Sequence, residues 1–79
     1  MRYLLYTRPD CHLCDEAADL VAAVAPGLAL QTVDIEDSID LLDRYGTRIP
    51  VLAREAGGEE LGWPFDAARL SGFLASTPG

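Results

Sequence analysis

The spacing of apolar residues changes period several times along this chain, and each change marks an element. Arg2-Tyr3-Leu4-Leu5-Tyr6-Thr7 is almost continuously aliphatic, aromatic or β-branched, the pattern of a buried strand of parallel-sheet type. Pro9 cannot continue a ladder and biases Arg8 towards extended geometry, so Arg8-Pro9-Asp10 breaks the strand. From Cys11 to about Val24 the spacing becomes helical. Leu13, Ala17, Leu20 or Val21, and Val24 share one face, with Asp15, Glu16 and Asp19 opposite. Asp15 and Glu16 fall in the first turn, where negative charge suits the helix dipole, and Pro26-Gly27 ends the helix.

Leu28 to Val33 reads as a second strand, which after a helical crossover completes a right-handed βαβ unit with the first. Asp34 to Asp37 is a polar turn. Asp37 or Ser38 can cap a short helix whose apolar contacts are Ile39, Leu41, Leu42 and Tyr45, with Gly46 at its C-terminal end. A third strand, Val51 to Arg54, is entered through Pro50, and Glu55 to Gly58 forms a turn whose two glycines can take positive φ. Glu59 to Trp63 pairs back as an edge strand guarded by Glu59 and Glu60. Pro64-Phe65-Asp66 opens a last helix with a buried stripe of Ala67, Leu70, Phe73 and Leu74, and Thr77-Pro78-Gly79 reads as a frayed end. The element order is βαβαββα.

Length and charge narrow the function classes. The 79 residues (8.5 kDa) suit one domain over 1–79, burying roughly 60% of the unfolded chain's surface. With 49% apolar and 24% charged residues, the composition is that of a globular protein. The longest charge-free run, Leu20 to Val33, has 14 residues and is interrupted by Pro26-Gly27, whereas a membrane span needs about 20. The apolar run after Arg2 is too short for a secretory leader, which leads us to expect a cytoplasmic protein. Net charge is −7, from six arginines, no lysine and thirteen acids, a balance that repels phosphate backbones and argues against nucleic-acid binding. The acids at Asp10 to Asp19 and Asp34 to Asp43 read as solvated faces, or else as a docking surface for a basic partner. So acidic a small surface points to a monomer.

The chemical signal is Cys11-His12-Leu13-Cys14. A bridge closing so short a loop removes little chain entropy, so the pair is a poor structural staple and better suited to reactivity. It stands after a strand, at the start of a helix. There, unpaired backbone N–H groups and the positive dipole end stabilise a Cys11 thiolate. Arg8 favours that anion, as would a protonated His12, while Asp10, Asp15 and Glu16 oppose it. Cys14, three residues on, can reach back to resolve a mixed disulfide on Cys11. Asp10 otherwise reads as a helix cap. A metal site wants four ligands; His12 beside Cys11 is badly placed as a third, and no metal ligand set is evident within one chain.

On these residues the chain resembles the thioredoxin superfamily, and within it the glutaredoxin-like branch. Tyr6 to Cys14 is similar to the strand-loop-helix that carries the redox pair, and Arg48-Ile49-Pro50-Val51 to the stretch with the superfamily's cis-proline. The resemblance covers nearly the whole chain and implies a four-stranded mixed sheet with helices on both faces. It implies Cys11 as nucleophile and Cys14 as resolving thiol, with a cis Pro50 facing the pair. Arg8 stands where glutaredoxins usually carry a lysine that pairs with a glutathione carboxylate, and a guanidinium can do this bidentately. The implied substrate surface is Arg8, His12, Arg48, Ile49, Pro50, Trp63 and Asp66. His12 and Leu13 replace the usual proline and aromatic between the cysteines, and Gly62-Trp63-Pro64-Phe65-Asp66 replaces the Gly-Gly and Asp-Asp pattern that grips glutathione.

The expected function is therefore thiol–disulfide exchange on a protein or small-molecule disulfide, with no tightly bound cofactor. Glutathione or a thioredoxin-reductase-like enzyme would recycle the dithiol, since the Trp63-Pro64 segment also resembles small electron donors served by thioredoxin reductase. The rival reading is a metal-carrier or protein-binding module, with the dithiol clamping a soft metal across two chains.

Overall fold

A computed structural model describes residues 2–76; Thr77-Pro78-Gly79, read above as a frayed end, lies outside the described residues. The elements are β1 (Tyr3–Thr7), α1 (His12–Val24), β2 (Leu30–Asp34), a 3-10 turn (Ile35–Asp37), α2 (Ile39–Tyr45), β3 (Val51–Arg54), β4 (Glu60–Gly62) and α3 (Ala67–Ala75). The four strands form one mixed sheet in the order β2-β1-β3-β4. β1 runs parallel to β2 and antiparallel to β3, and β3 is antiparallel to β4.

Strand alternation divides the core between the two faces of the sheet. Leu5, Leu52 and Leu61 lie side by side across β1, β3 and β4 and pack with Tyr3 against Ala17 and Val21 of α1, Phe65, and Leu70 of α3. The neighbouring pair Tyr6 and Val51 faces the other way, towards Ile35 and Tyr45, with Leu41 and Ile49 alongside. Helices thus cover both faces, and every residue of β3 is buried. Burying a large aliphatic side chain contributes about 1.5–3 kcal/mol, so Leu5, Leu52 and Leu70, all fully buried, anchor the larger cluster.

Several details differ from the sequence reading for local physical reasons. β2 starts at Leu30, not Leu28, because the Leu28 N–H turns back to the Ala25 carbonyl at 3.0 Å. The third helix buries Leu70 fully and Phe73 and Leu74 in part, but Ala67 is exposed; Phe65, just upstream, is buried in the core. On α1, Leu13 is 47% exposed and Cys14, Ala17 and Val21 take the inward positions, so the apolar stripe begins at the cysteine. Gly46 closes α2 in right-handed geometry rather than a left-handed cap. Its requirement for glycine is steric: a Cβ there would come within 2.5 Å of the Leu42 carbonyl oxygen.

Arg54 ends β3 with its side chain buried, 3% exposed. The guanidinium donates to the Phe73 and Ser76 carbonyls, stands 4.5 Å over the Phe73 ring and lies 3.3 Å from a Glu59 oxygen. A cation placed on the last carbonyls of α3 satisfies groups that the helix itself cannot and opposes the negative end of its dipole.

Candidate functional site

Strand directions bring the candidate residues to one end of the sheet. β1 and β2 finish side by side at Thr7 and Asp34, β3 begins at Val51 beside Tyr6, and β4 finishes at Gly62 beside Val51. The Arg8–Cys11 loop, the Ile35–Asp37 turn, Ile49–Pro50 and Trp63 all continue from that end.

Cys11 is itself the N-cap of α1, in extended geometry, and its sulfur accepts the Cys14 N–H at 3.2 Å. The cap therefore falls one residue later than Asp10, where the sequence reading placed it. Asp10 instead takes φ 59°, a left-handed conformation that aspartate tolerates better than most residues. Three residues, Arg8 to Asp10, thus carry the chain from strand to helix. Cys11 and Cys14 are joined as a disulfide with Cα atoms 5.2 Å apart. Cys11 is half-buried whereas Cys14 is 4% exposed among the inward residues of α1. His12 and Leu13, between them, are exposed.

Both candidate cations hold carboxylates of this chain. Arg8 pairs with Glu36 at 2.8 Å, both side chains being exposed. Arg48 pairs with Glu60 at 3.0 Å and stands 5.5 Å over the Tyr45 ring. The Tyr45 hydroxyl donates to the second Glu60 oxygen, and its ring stacks on Tyr6 with centroids 4.2 Å apart. That hydroxyl, with Arg48, holds the Glu60 carboxyl below its ordinary range against a partial desolvation. Burial, then the Glu60 carboxylate, pushes the Tyr45 hydroxyl well above its ordinary value.

The neighbouring backbone is also committed. Arg48 and Ile49 donate their N–H groups to the Tyr45 carbonyl at 2.9 and 3.1 Å. The Ile49–Pro50 and Trp63–Pro64 bonds are cis, and the Pro50 carbonyl accepts the Trp63 N–H at 3.1 Å. Pro50 is buried; Trp63 is half-buried and meets Phe65 edge-on at 5.0 Å. Asp66 caps α3, accepting the Arg69 N–H at 2.8 Å, so its carboxylate serves the helix. Among the described residues no three His, Cys, Asp or Glu side chains gather as metal ligands, and no helix is long and apolar enough to cross a membrane.

The model of the glutaredoxin-like domain (DUF836) matches residues 2–75. The chain belongs to that family. Two solved structures of a structural-genomics target protein from X. campestris resemble this glutaredoxin-like domain at 47% identity and a TM-score of 0.85. The crystal structure aligns over 96% of this chain and 99% of its own, and the solution structure over 99% and 97%. None of the curated proteins compared with the chain matches it. The fold of this glutaredoxin-like domain is thioredoxin-like, a mixed four-stranded sheet between helices.

Three residues that hold the candidate cations of this glutaredoxin-like domain have roles that sequence reasoning missed. Glu36 appeared only as one acid of a cluster, Glu60 only as an edge-strand guard and Tyr45 only as a helix contact. No spacing rule pairs Arg8 with a residue 28 positions away; only the parallel register of β1 and β2 does.

Proposed function

We propose that this glutaredoxin-like domain is a thiol–disulfide oxidoreductase that carries two electrons through Cys11 and Cys14. The asymmetry of the pair is the observation that carries this reading. Cys11 is the more exposed sulfur, sits at the N-cap of a 13-residue helix and accepts a backbone N–H, while Cys14 is buried behind it. A sulfur so placed is favoured as the thiolate, the reactive form.

In the reduced form, the Cys11 thiolate attacks one sulfur of a substrate disulfide. A Cys11–substrate disulfide forms, the substrate S–S bond breaks, and the departing thiolate takes a proton. Deprotonated Cys14 then attacks the Cys11 sulfur, forming the Cys11–Cys14 bond and expelling the second substrate thiolate. The protein loses two electrons and two protons, and the substrate gains them as two thiols. Having Cys14 one helical turn away makes the second step intramolecular. Exposed His12 and Leu13 flank the sulfurs and, with half-buried Ile49 and Trp63 at the same end of the sheet, supply the surface against which a substrate would lie. Glutathione or a thioredoxin-reductase-like enzyme would return the disulfide to the dithiol.

The test is a titration in graded glutathione redox buffers, quenched with acid and read by intact mass. A dithiol-to-disulfide transition of two mass units, with a midpoint in the range of roughly −270 to −120 mV spanned by dithiols of this fold, is the expected result. Thiols that stay reduced or stay oxidised across the whole buffer range would overturn the proposal.

A further inference from the structure

We propose that Glu36 is a specificity-determining residue that turns the dithiol away from small anionic disulfides. The inference rests on the oxidoreductase reading of the site. Arg8 stands three residues before Cys11, immediately beyond the end of β1, and is the cation nearest the dithiol in the chain. An anionic thiol or disulfide approaching Cys11 would be expected to meet it. The parallel register that pairs Thr7 with Asp34, however, carries both chains off the sheet side by side. Glu36 follows two residues later, where its carboxylate accepts from the Arg8 guanidinium at 2.8 Å.

Neither of these two segments carries a second arginine. Asp34 spends one carboxylate oxygen on the Glu36 N–H at 2.8 Å, which fixes the turn that presents Glu36. The other charged residues of the two segments, Asp10, Asp15, Glu16 and Asp37, are all acids. Arg48, the second candidate cation, holds Glu60 at 3.0 Å. The site therefore offers a net negative surround to a substrate. Glutathione disulfide carries two carboxylates for each ammonium, so it is disfavoured relative to a neutral or cationic disulfide. The pair is exposed, at 43% and 42% for Arg8 and Glu36, so removing the carboxylate frees a guanidinium that solvent and substrate can already reach.

The experiment follows the oxidation of reduced full-length protein by three disulfides of graded charge. These are cystamine (cationic), bis(2-hydroxyethyl) disulfide (neutral) and glutathione disulfide (anionic). In each case the Cys11–Cys14 disulfide forms and the small disulfide is reduced to two thiols. The readout is the glutathione disulfide rate divided by the bis(2-hydroxyethyl) disulfide rate, compared between variants so that intrinsic reactivities cancel. As a general scale, one unit charge acting on another 6–8 Å away in a water-like medium changes a rate by about two- to threefold. Glu36→Gln should therefore raise the ratio by about that factor or more, lower the corresponding cystamine ratio, and lose both effects in 1 M NaCl.

The same substitution in an Arg8→Gln background separates a freed guanidinium from simple loss of a carboxylate. There the gain should fall by at least half. An unchanged ratio in Glu36→Gln, or equal gains in the two backgrounds, would overturn the assignment while leaving a redox-active dithiol intact. Failure of the wild type to react with any of the three disulfides would instead overturn the oxidoreductase reading on which the inference stands.

Discussion

Tyr45→Phe isolates one bond. The variant ring keeps the stack on Tyr6, 4.2 Å between centroids, and fills the same buried volume, but it can no longer donate to Glu60. A hydrogen bond to a charged group contributes about 1.5–3 kcal/mol. Glu60 retains 26% side-chain exposure and its other oxygen keeps Arg48 at 3.0 Å, so solvent and the surviving partner place the loss near the lower end, about 1.5 kcal/mol. The pH dependence follows from the two ionisations. In the folded protein Glu60 titrates below its ordinary value of 4.5, so its contribution is complete above that pH and is lost as pH falls through the folded value. The Tyr45 hydroxyl titrates above its ordinary value of 10.0, so its contribution is complete below that pH and is lost as pH rises through the folded value. Urea unfolding of both proteins at pH 3.5, 7 and 10.5 reads this directly. The difference in unfolding free energy should be largest at pH 7, smaller at pH 3.5, and starting to fall again at pH 10.5 as the unfolded-state tyrosine ionises. A difference at pH 3.5 equal to that at pH 7, or one below about 0.5 kcal/mol at pH 7, would refute a charge-assisted bond.

The remaining predictions concern the dithiol, the core and the buried arginine. Cys14→Ser should trap a mixed disulfide on Cys11 when the reduced protein meets bis(2-hydroxyethyl) disulfide, seen as a stable adduct by intact mass, whereas Cys11→Ser should form none on Cys14 at a comparable rate. Leu52→Ala removes a fully buried side chain from the centre of the larger cluster and should cost about 2–5 kcal/mol in urea unfolding. Arg54→Met keeps the apolar stem but strips the partners from the Phe73 and Ser76 carbonyls. The melting temperature should fall, and amide exchange should accelerate selectively in the last turn of α3.

The parts of the fold that depend on near neighbours were readable in the sequence. A helix after Cys11 follows from residues a turn apart, and an edge placement for β4 follows from Glu59-Glu60. The misplacements came where a distant partner decides. Leu13 looks like the first inward residue of α1 until the sheet is present; Cys14 then takes that position and Leu13 faces out. Arg54 reads as one more strand charge, and only docking of α3 across the sheet places two carbonyls against it. At the site, the cysteine pair was legible because its chemistry is local and restrictive, whereas Pro50 by itself reads as the start of a strand and its cis geometry was expected only from the resemblance. The state of Arg8 and Arg48 was not. A cation's availability depends on which carboxylate folding brings to it, and Glu36 and Glu60 lie 28 and 12 residues away.

Those pairings bear on how a Cys11 anion is held. Among the described residues Arg2, Arg8, Arg48 and Arg54 each pair with a glutamate, Glu55, Glu36, Glu60 and Glu59 in turn. With four of six arginines and four of thirteen acids so matched, nine acids face two arginines. The chain's overall charge of −7 opposes a thiolate at long range. What favours it is short-range: the N-terminal dipole of α1 and the Cys14 N–H on the Cys11 sulfur. On the proposed reading, these backbone contacts stabilise a Cys11 thiolate without adding an arginine to its surface. On that reading the thiolate stays reactive while the acids repel anionic substrates, so that one arrangement supplies both the proposed reactivity and the proposed selectivity.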